Sequence, residues 1–156
     1  VNTLKPDSKG GGPVTIQSAF SVEPVFITST QITKSVSGEG DGTKRGSDTM
    51  GMKHRVDSGI YCTFGSINPQ LAERTGFGDA DAQELKAILP RMFENDASSA
   101  RPDGSMEVLT VVWWRHNCKS GQYSSAKVHG SLTVNPDGSI GLDPLDGLDP
   151  EIINGF

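Results

Sequence analysis

The sequence predicts an α+β sandwich built on a largely antiparallel sheet, with about five strands and one good helix. Three observations carry that prediction. A period-of-two alternation runs through Val14, Ile16, Ser18, Phe20 and Val22 and again through Ile60, Cys62 and Phe64, the pattern of half-buried strands. One segment, Asp79–Glu94, spaces its apolar residues by three and four, as a helix does. The 156 residues include 19 glycines and 9 prolines, which favours short strands and many turns over a helical bundle. That length suffices for one domain with a core of its own and excludes a large multidomain enzyme.

Residues 1–12, with Lys5-Pro6-Asp7 and Gly10-Gly11-Gly12, read as a flexible lead-in. The strand from Val14 is interrupted by Pro24, and a second β-rich run covers Val25–Val36 before Ser37-Gly38-Glu39-Gly40-Asp41-Gly42, where no regular element is expected. From Ser37 to Asp57 the chain is polar and glycine-rich, yet carries Lys44, Arg45, Lys53, His54 and Arg55 with Met50 and Met52. A structureless connection of that length is uncommon in a compact domain and marks a first candidate site.

Gly59–Ile67 resumes a strand that Asn68-Pro69 stops. In Asp79–Glu94 the residues Ala82, Leu85, Ile88, Leu89, Met92 and Phe93 form the apolar face, Gly78 or Asp79 caps, and Pro90 predicts a kink near Lys86. Met106–Arg115 is apolar on both faces and so is expected to be central in its sheet. Val128–Val134 is a further strand, closed by the turn Asn135-Pro136-Asp137-Gly138. The tetrapeptide GLDP at 141 and 147 is opposed to helix by Pro144 and Pro150, so extended or turn structure is expected there. The body is thus placed at 13–136, followed by an acidic Pro/Gly/Leu tail at 137–156.

The net charge of −5 hides an uneven distribution. Asp137, Asp143, Asp146, Asp149 and Glu151 crowd the end, whereas Val108–Pro136 holds Arg115, Lys119, Lys127, His116 and His129 and no acid. Such a balance argues against indiscriminate nucleic-acid binding but leaves a locally basic surface. No run approaches the roughly 18 apolar residues of a membrane span and no signal-peptide pattern opens the chain, so a cytoplasmic protein with two reduced thiols, Cys62 and Cys118, is expected.

No G-x-S-x-G elbow, Walker A loop, H-E-x-x-H pair or EF-hand loop is present, the spacing of Cys62, Cys118, His116 and His54 matches no standard zinc pattern, and no cofactor is implied. Gly76-Phe77-Gly78 reads as a turn and cap. The adjacent Trp113 and Trp114 point to opposite faces: one is core, and the other either stacks a base or is covered by the helix. Met50 and Met52 among Lys44, Arg45, Lys53 and Arg55 suit a phosphate backbone with an apolar wedge, against the alternative of a solvated loop anchored by its methionines. Lys119–His129, KSGQYSSAKVH, either positions phosphates with its amides, serines, Lys119, Lys127 and His129 or is a solvent-facing turn. Arg101 is expected to pair with a nearby acid.

Four stretches, TMGMKHRV at 49–56, NPQLAERTGF at 68–77, FENDASSARPDGSMEV at 93–108 and WWRHNCKSGQYSSAKVH at 113–129, closely resemble the CRISPR-associated protein seven family, type I-C. The resemblance implies an RRM-like, ferredoxin-like palm, incomplete on its N-terminal side because family members are considerably longer, with a thumb inserted at about 32–56. It implies a non-catalytic backbone subunit of the Cascade interference complex that oligomerises along a CRISPR RNA and presents it for pairing with target DNA. Its partners would be other copies of itself and the five-type and large subunits, with no membrane. On the same resemblance, Lys44, Arg45, Met50, Met52, Lys53, His54 and Arg55 become candidate RNA contacts, cations on phosphate and methionine as wedge.

Two other readings stand beside this one. Relatives in type III complexes cleave target RNA with a loop aspartate, and Asp41, Asp48 and Asp57 lie in or beside the thumb, although no carboxylate cluster fit for two metals can be identified. Alternatively, the chain is an assembly fragment that retains only self-association through an open sheet edge.

Overall fold

A computed structural model describes residues 11–33 and 50–156. The described strands are β1 (Val14–Ile16), β2 (Phe20–Ser21), β3 (Ile27–Thr33), β4 (Met50–Val56), β5 (Tyr61–Cys62), β6 (Gly65–Ile67), β7 (Thr110–Trp113), β8 (Leu132–Val134), β9 (Ile140–Leu142) and β10 (Glu151–Asn154). The helices are α1 (Pro69–Thr75), α2 (Asp79–Ile88) and α3 (Ser125–Gly130). Every ladder is antiparallel and two-stranded: β1 with β6, β2 with β5, β3 with β4, β7 with β10, β8 with β9. The α+β class and the antiparallel pairing are therefore as expected, but through more and shorter strands. Two compact units divide the chain, Phe20–Cys62 and the remainder, Val1–Ala19 with Thr63–Phe156.

The two alternating runs each break into two strands. Val14–Val22 becomes β1 and β2, and Gly59–Ile67 becomes β5 and β6; past β1 and β6 the Gln17 amide still donates to the Phe64 carbonyl at 2.8 Å, and the Thr63 hydroxyl donates to the Gln17 carbonyl at 2.8 Å. In the second run the facing is as the period predicts, with Ile60, Cys62 and Phe64 half-buried and Tyr61 and Thr63 exposed, whereas in the first Val14 and Val22 are half-buried but Ile16 and Phe20 are exposed, so that run does not bury one face as expected.

Asn68-Pro69 does more than stop a strand. The Asn68 carboxamide oxygen accepts from the Gln70 and Leu71 amides at 2.9 and 3.2 Å, and Pro69 occupies the first helical turn, where its missing N–H costs nothing. Gly76, at φ 77°, ends α1 in the left-handed conformation that a side chain resists. The cap at the next helix is Gly78, whose N–H donates to Asp81 Oδ2 at 2.7 Å. α2 ends at Ile88, and Leu89–Arg91 tightens into a 3-10 turn, so Pro90 terminates the helix instead of kinking it near Lys86. Of the predicted apolar face, Ala82, Leu85, Leu89 and Phe93 are half-buried while Ile88 and Met92 stay exposed.

Val128–Val134 is not one strand. Ser124 accepts from the Lys127 amide, the following turn winds into α3, and only Leu132–Val134 is extended. Met106–Arg115 likewise contracts to β7, which pairs with β10 alone among the described residues and is not central as predicted. Its partner and β9 both come from the acidic end of the chain.

The second GLDP repeat supplies the most buried side chain of the core. Gly147, at φ 68°, makes the turn, and Leu148 is 2% exposed, with Val128 (5%) and Ala72 (8%) the other buried apolar residues among those described. Two residues of the predicted phosphate loop hold that turn: Gln122 Nε2 donates to the Gly147 carbonyl at 2.6 Å and the Tyr123 hydroxyl to the Asp146 carbonyl at 2.9 Å. Gln122 is fixed in turn, its amide donating to His116 Nδ1 at 3.0 Å and its side-chain oxygen accepting from the Asn117 amide at 2.9 Å. Arg101 pairs with Asp96 at 3.1 Å, as expected.

Candidate nucleic-acid interface

The residues Met50–Val56, predicted as loop, form β4 and run in full register against β3, from Ile27 opposite Val56 to Thr33 opposite Met50. Strand alternation then sorts the candidates by face. Met50, Met52 and His54 share one face with Thr33, Gln31 and Ser29; Lys53 and Arg55 share the other with Thr30 and Thr28. Every residue of β4 is exposed, so the ribbon is solvated on both sides.

Cross-strand bonds give each face a defined geometry. On the methionine face, Ser29 Oγ lies 2.8 Å from His54 Nδ1, and Gln31 Nε2 donates to Met50 Sδ at 3.3 Å. The other face ends at Asp57, which accepts from the Thr28 hydroxyl and, at 2.9 Å, from Arg55 Nε. Only the register places Ser29, Gln31 and Thr28 beside the candidates, and nothing in their spacing along the chain marks them.

The Thr28 hydroxyl, followed by the charge and hydrogen bond of Arg55, holds the Asp57 carboxyl below the usual value of 3.8. A depressed folded-state value means the carboxylate is charged at neutral pH, and its contribution to the ribbon is complete there and fades only as pH falls through the depressed value. In a carbonyl-detected NMR titration, Asp57 will therefore titrate below an ordinary aspartate, and Thr28→Val will move it back upward. An unchanged midpoint in Thr28→Val would contradict this.

The second candidate group lies in the other unit and is built differently. Lys119 is ion-paired with Glu73 of α1, Arg115 with Asp79 at 3.4 Å, and all four side chains are largely exposed. Acids from other elements thus meet two cations of the acid-free segment. Lys127 Nζ stands 4.5 Å above the Tyr123 ring, and His129 stacks on Phe64 with centroids 4.2 Å apart and planes 17° from parallel. Lys127 and His129 sit on α3, not in a loop. Trp113 and Trp114 are both half-buried.

Lys44, Arg45, Asp41 and Asp48 lie outside the described residues. Among the described residues, no group of three His, Cys, Asp or Glu is placed to hold a metal ion, and no helix is long and apolar enough to cross a membrane. Cys62 and Cys118 are free thiols, and burial pushes the Cys62 thiol up.

The β3–β4 ribbon is thus exposed, polar and methionine-bearing, and it lies in a different compact unit from the second candidate group. The chain belongs to the CRISPR-associated protein Cas7 family, whose model matches residues 1–147. That family's function is that of a non-catalytic, RNA-binding backbone subunit of CRISPR Cascade complexes. No individual curated protein matches the chain at a significant level.

Proposed function

We propose that this chain serves as the backbone subunit of a type I-C Cascade complex, lining up with other copies along a CRISPR RNA and exposing its bases for target DNA. The β3–β4 ribbon acts as the root of the thumb, with β4 and the end of β3 inside the insertion at about 32–56. The observation that carries this reading is the division of its faces. Lys53 and Arg55 lie on one face, open to phosphate, while Met50 and Met52 offer a soft apolar edge beside His54 on the opposite face, so charge and wedge act on different sides of the ribbon. Lys44 and Arg45 extend the same basic character, and Lys119, Lys127 and His129 form a second group of contacts. The five-type and large subunits complete the assembly. Sequence specificity is left to base pairing, the protein reading backbone and shape.

The test is binding of guide RNAs that share one repeat-derived handle but carry a spacer or its shuffled version, in protein assembled with its partner subunits. Equal affinities are expected. A strong preference for one spacer overturns the reading. A metal-dependent nuclease is the competing class; Mg²⁺- or Mn²⁺-dependent turnover of labelled RNA, lost on an aspartate substitution, would decide for it.

A further inference from the structure

We propose that the methionine face of β4 is a binding site for a soft monovalent metal ion, Cu(I) or Ag(I), held between the Met52 thioether and the His54 imidazole with Met50 as an alternate ligand. The proposal goes beyond the RNA-binding reading and is tested without RNA. It begins from the register, which sets Met50, Met52 and His54 on one face of the strand, opposite Thr33, Gln31 and Ser29. That face of β4 carries two thioethers and an imidazole. The carboxylate at the end of the strand, Asp57, is engaged by Thr28 and Arg55 on the opposite face.

Ligand softness decides which ion fits. Thioethers select Cu(I) and its heavier congener Ag(I), whereas Ca²⁺ and Mg²⁺ demand oxygen ligands. A closed-shell monovalent ion is also satisfied by two ligands in line, so it needs no enclosed cavity. Reach decides which side chains share it. Same-face neighbours on an antiparallel strand stand about 7 Å apart, a gap that the flexible methionine stem closes around one ion with the neighbour on either side. Met50 and His54 stand about 14 Å apart, too far to share the ion with each other, which makes Met52 the common ligand.

Strand β3 prepares both neighbours of Met52. Ser29 Oγ sits 2.8 Å from His54 Nδ1. With the hydroxyl accepting the Nδ1 proton, the ring holds the tautomer whose Nε2 lone pair is free for a metal, as outer hydrogen bonds do for imidazole ligands generally. Gln31 Nε2 donates to Met50 Sδ at 3.3 Å and occupies part of that sulfur's lone-pair density, so Met50 is the weaker competitor. Met50 and Met52 are 69% and 55% exposed, and an ion reaches either sulfur without local unfolding. The chain supplies its own controls: Met92 and Met106 are 48% and 47% exposed, but neither has a histidine or a second methionine two residues away.

The test is a titration of the 156-residue chain, labelled at its methionine methyls and histidine rings, with Ag(I), which needs no reductant, followed by NMR. The free thiols of Cys62 and Cys118 compete for silver, so the titration runs past two equivalents and is repeated in Cys62→Ala/Cys118→Ser. The Met52 methyl and the His54 ring should shift together, ahead of Met92 and Met106, and His116 and His129 should stay in place. Met52→Leu keeps the apolar body and removes only the sulfur, and it should abolish the early His54 shift. Should the cysteine variant fail to fold, the order of the shifts in the unaltered chain decides alone. Met52 moving only with Met92 and Met106, or a His54 shift that persists in Met52→Leu, would overturn the proposal. Because RNA takes no part, failure of the RNA reading leaves this result standing, and failure here leaves the RNA reading intact.

Discussion

Leu148→Ala will destabilise the unit formed by Val1–Ala19 with Thr63–Phe156 by about 2–5 kcal/mol, the range for emptying a well-packed leucine site. Leu148 is 2% exposed, and the other buried apolar residues described are Ala72 and Val128, so the core has little else to absorb the cavity. The surrounding turn resists collapse because Gln122 and Tyr123 pin the Gly147 and Asp146 carbonyls from outside it. Chemical denaturation should show a lower midpoint with an unchanged slope. Leu142→Ala, at the matching position of the first GLDP repeat, should cost less, because Leu142 is half-buried in β9. Equal losses at the two positions would mean that the turn around Leu148 is not the packing centre.

Reversing Lys53 to Glu in the assembled complex will weaken guide RNA binding for every spacer alike. It will also flatten the dependence of log affinity on log salt by about 0.7 for each phosphate that is no longer neutralised. Arg55→Glu should act in the same direction, its effect reduced by the exposed pair with Asp57 at 2.9 Å that Arg55 gives up to reach RNA. Met52→Ala should leave the slope unchanged, because a thioether displaces no counterion, and should alter instead the chemical-probing pattern of the guide. Affinity and slope unmoved by both charge reversals would reduce the ribbon to a solvated insertion.

What the sequence disclosed follows from how much burial each element has. α2 was legible because Ala82 and Leu85, continued by Leu89 in the turn that follows, half-bury one side of it, and a covered side leaves a period. The ribbon was not: β4 is exposed at every position, so no alternation of apolar and polar residues records that it is a strand. Burial of Val128 drew a strand reading across α3, where the decisive feature is the Ser124 cap. At Asn68-Pro69 the right residues received half their meaning, since a strand stop and a helix cap share the same chemistry. Of the candidate site, the residue types were visible and their partners were not. That Lys119 meets Glu73, that His129 stacks on Phe64 and that Thr28 reaches Asp57 depend on segments far apart in the chain coming together.

The central claim is that this chain lies along a CRISPR RNA. Its most direct test is to produce the chain in cells together with its partner subunits and a CRISPR array, purify it, and sequence the RNA it carries. An elevated absorbance ratio abolished by RNase, with reads covering every spacer of the array between its repeats, is the predicted result. Protein that purifies free of RNA, or with RNA unrelated to the array, would contradict it.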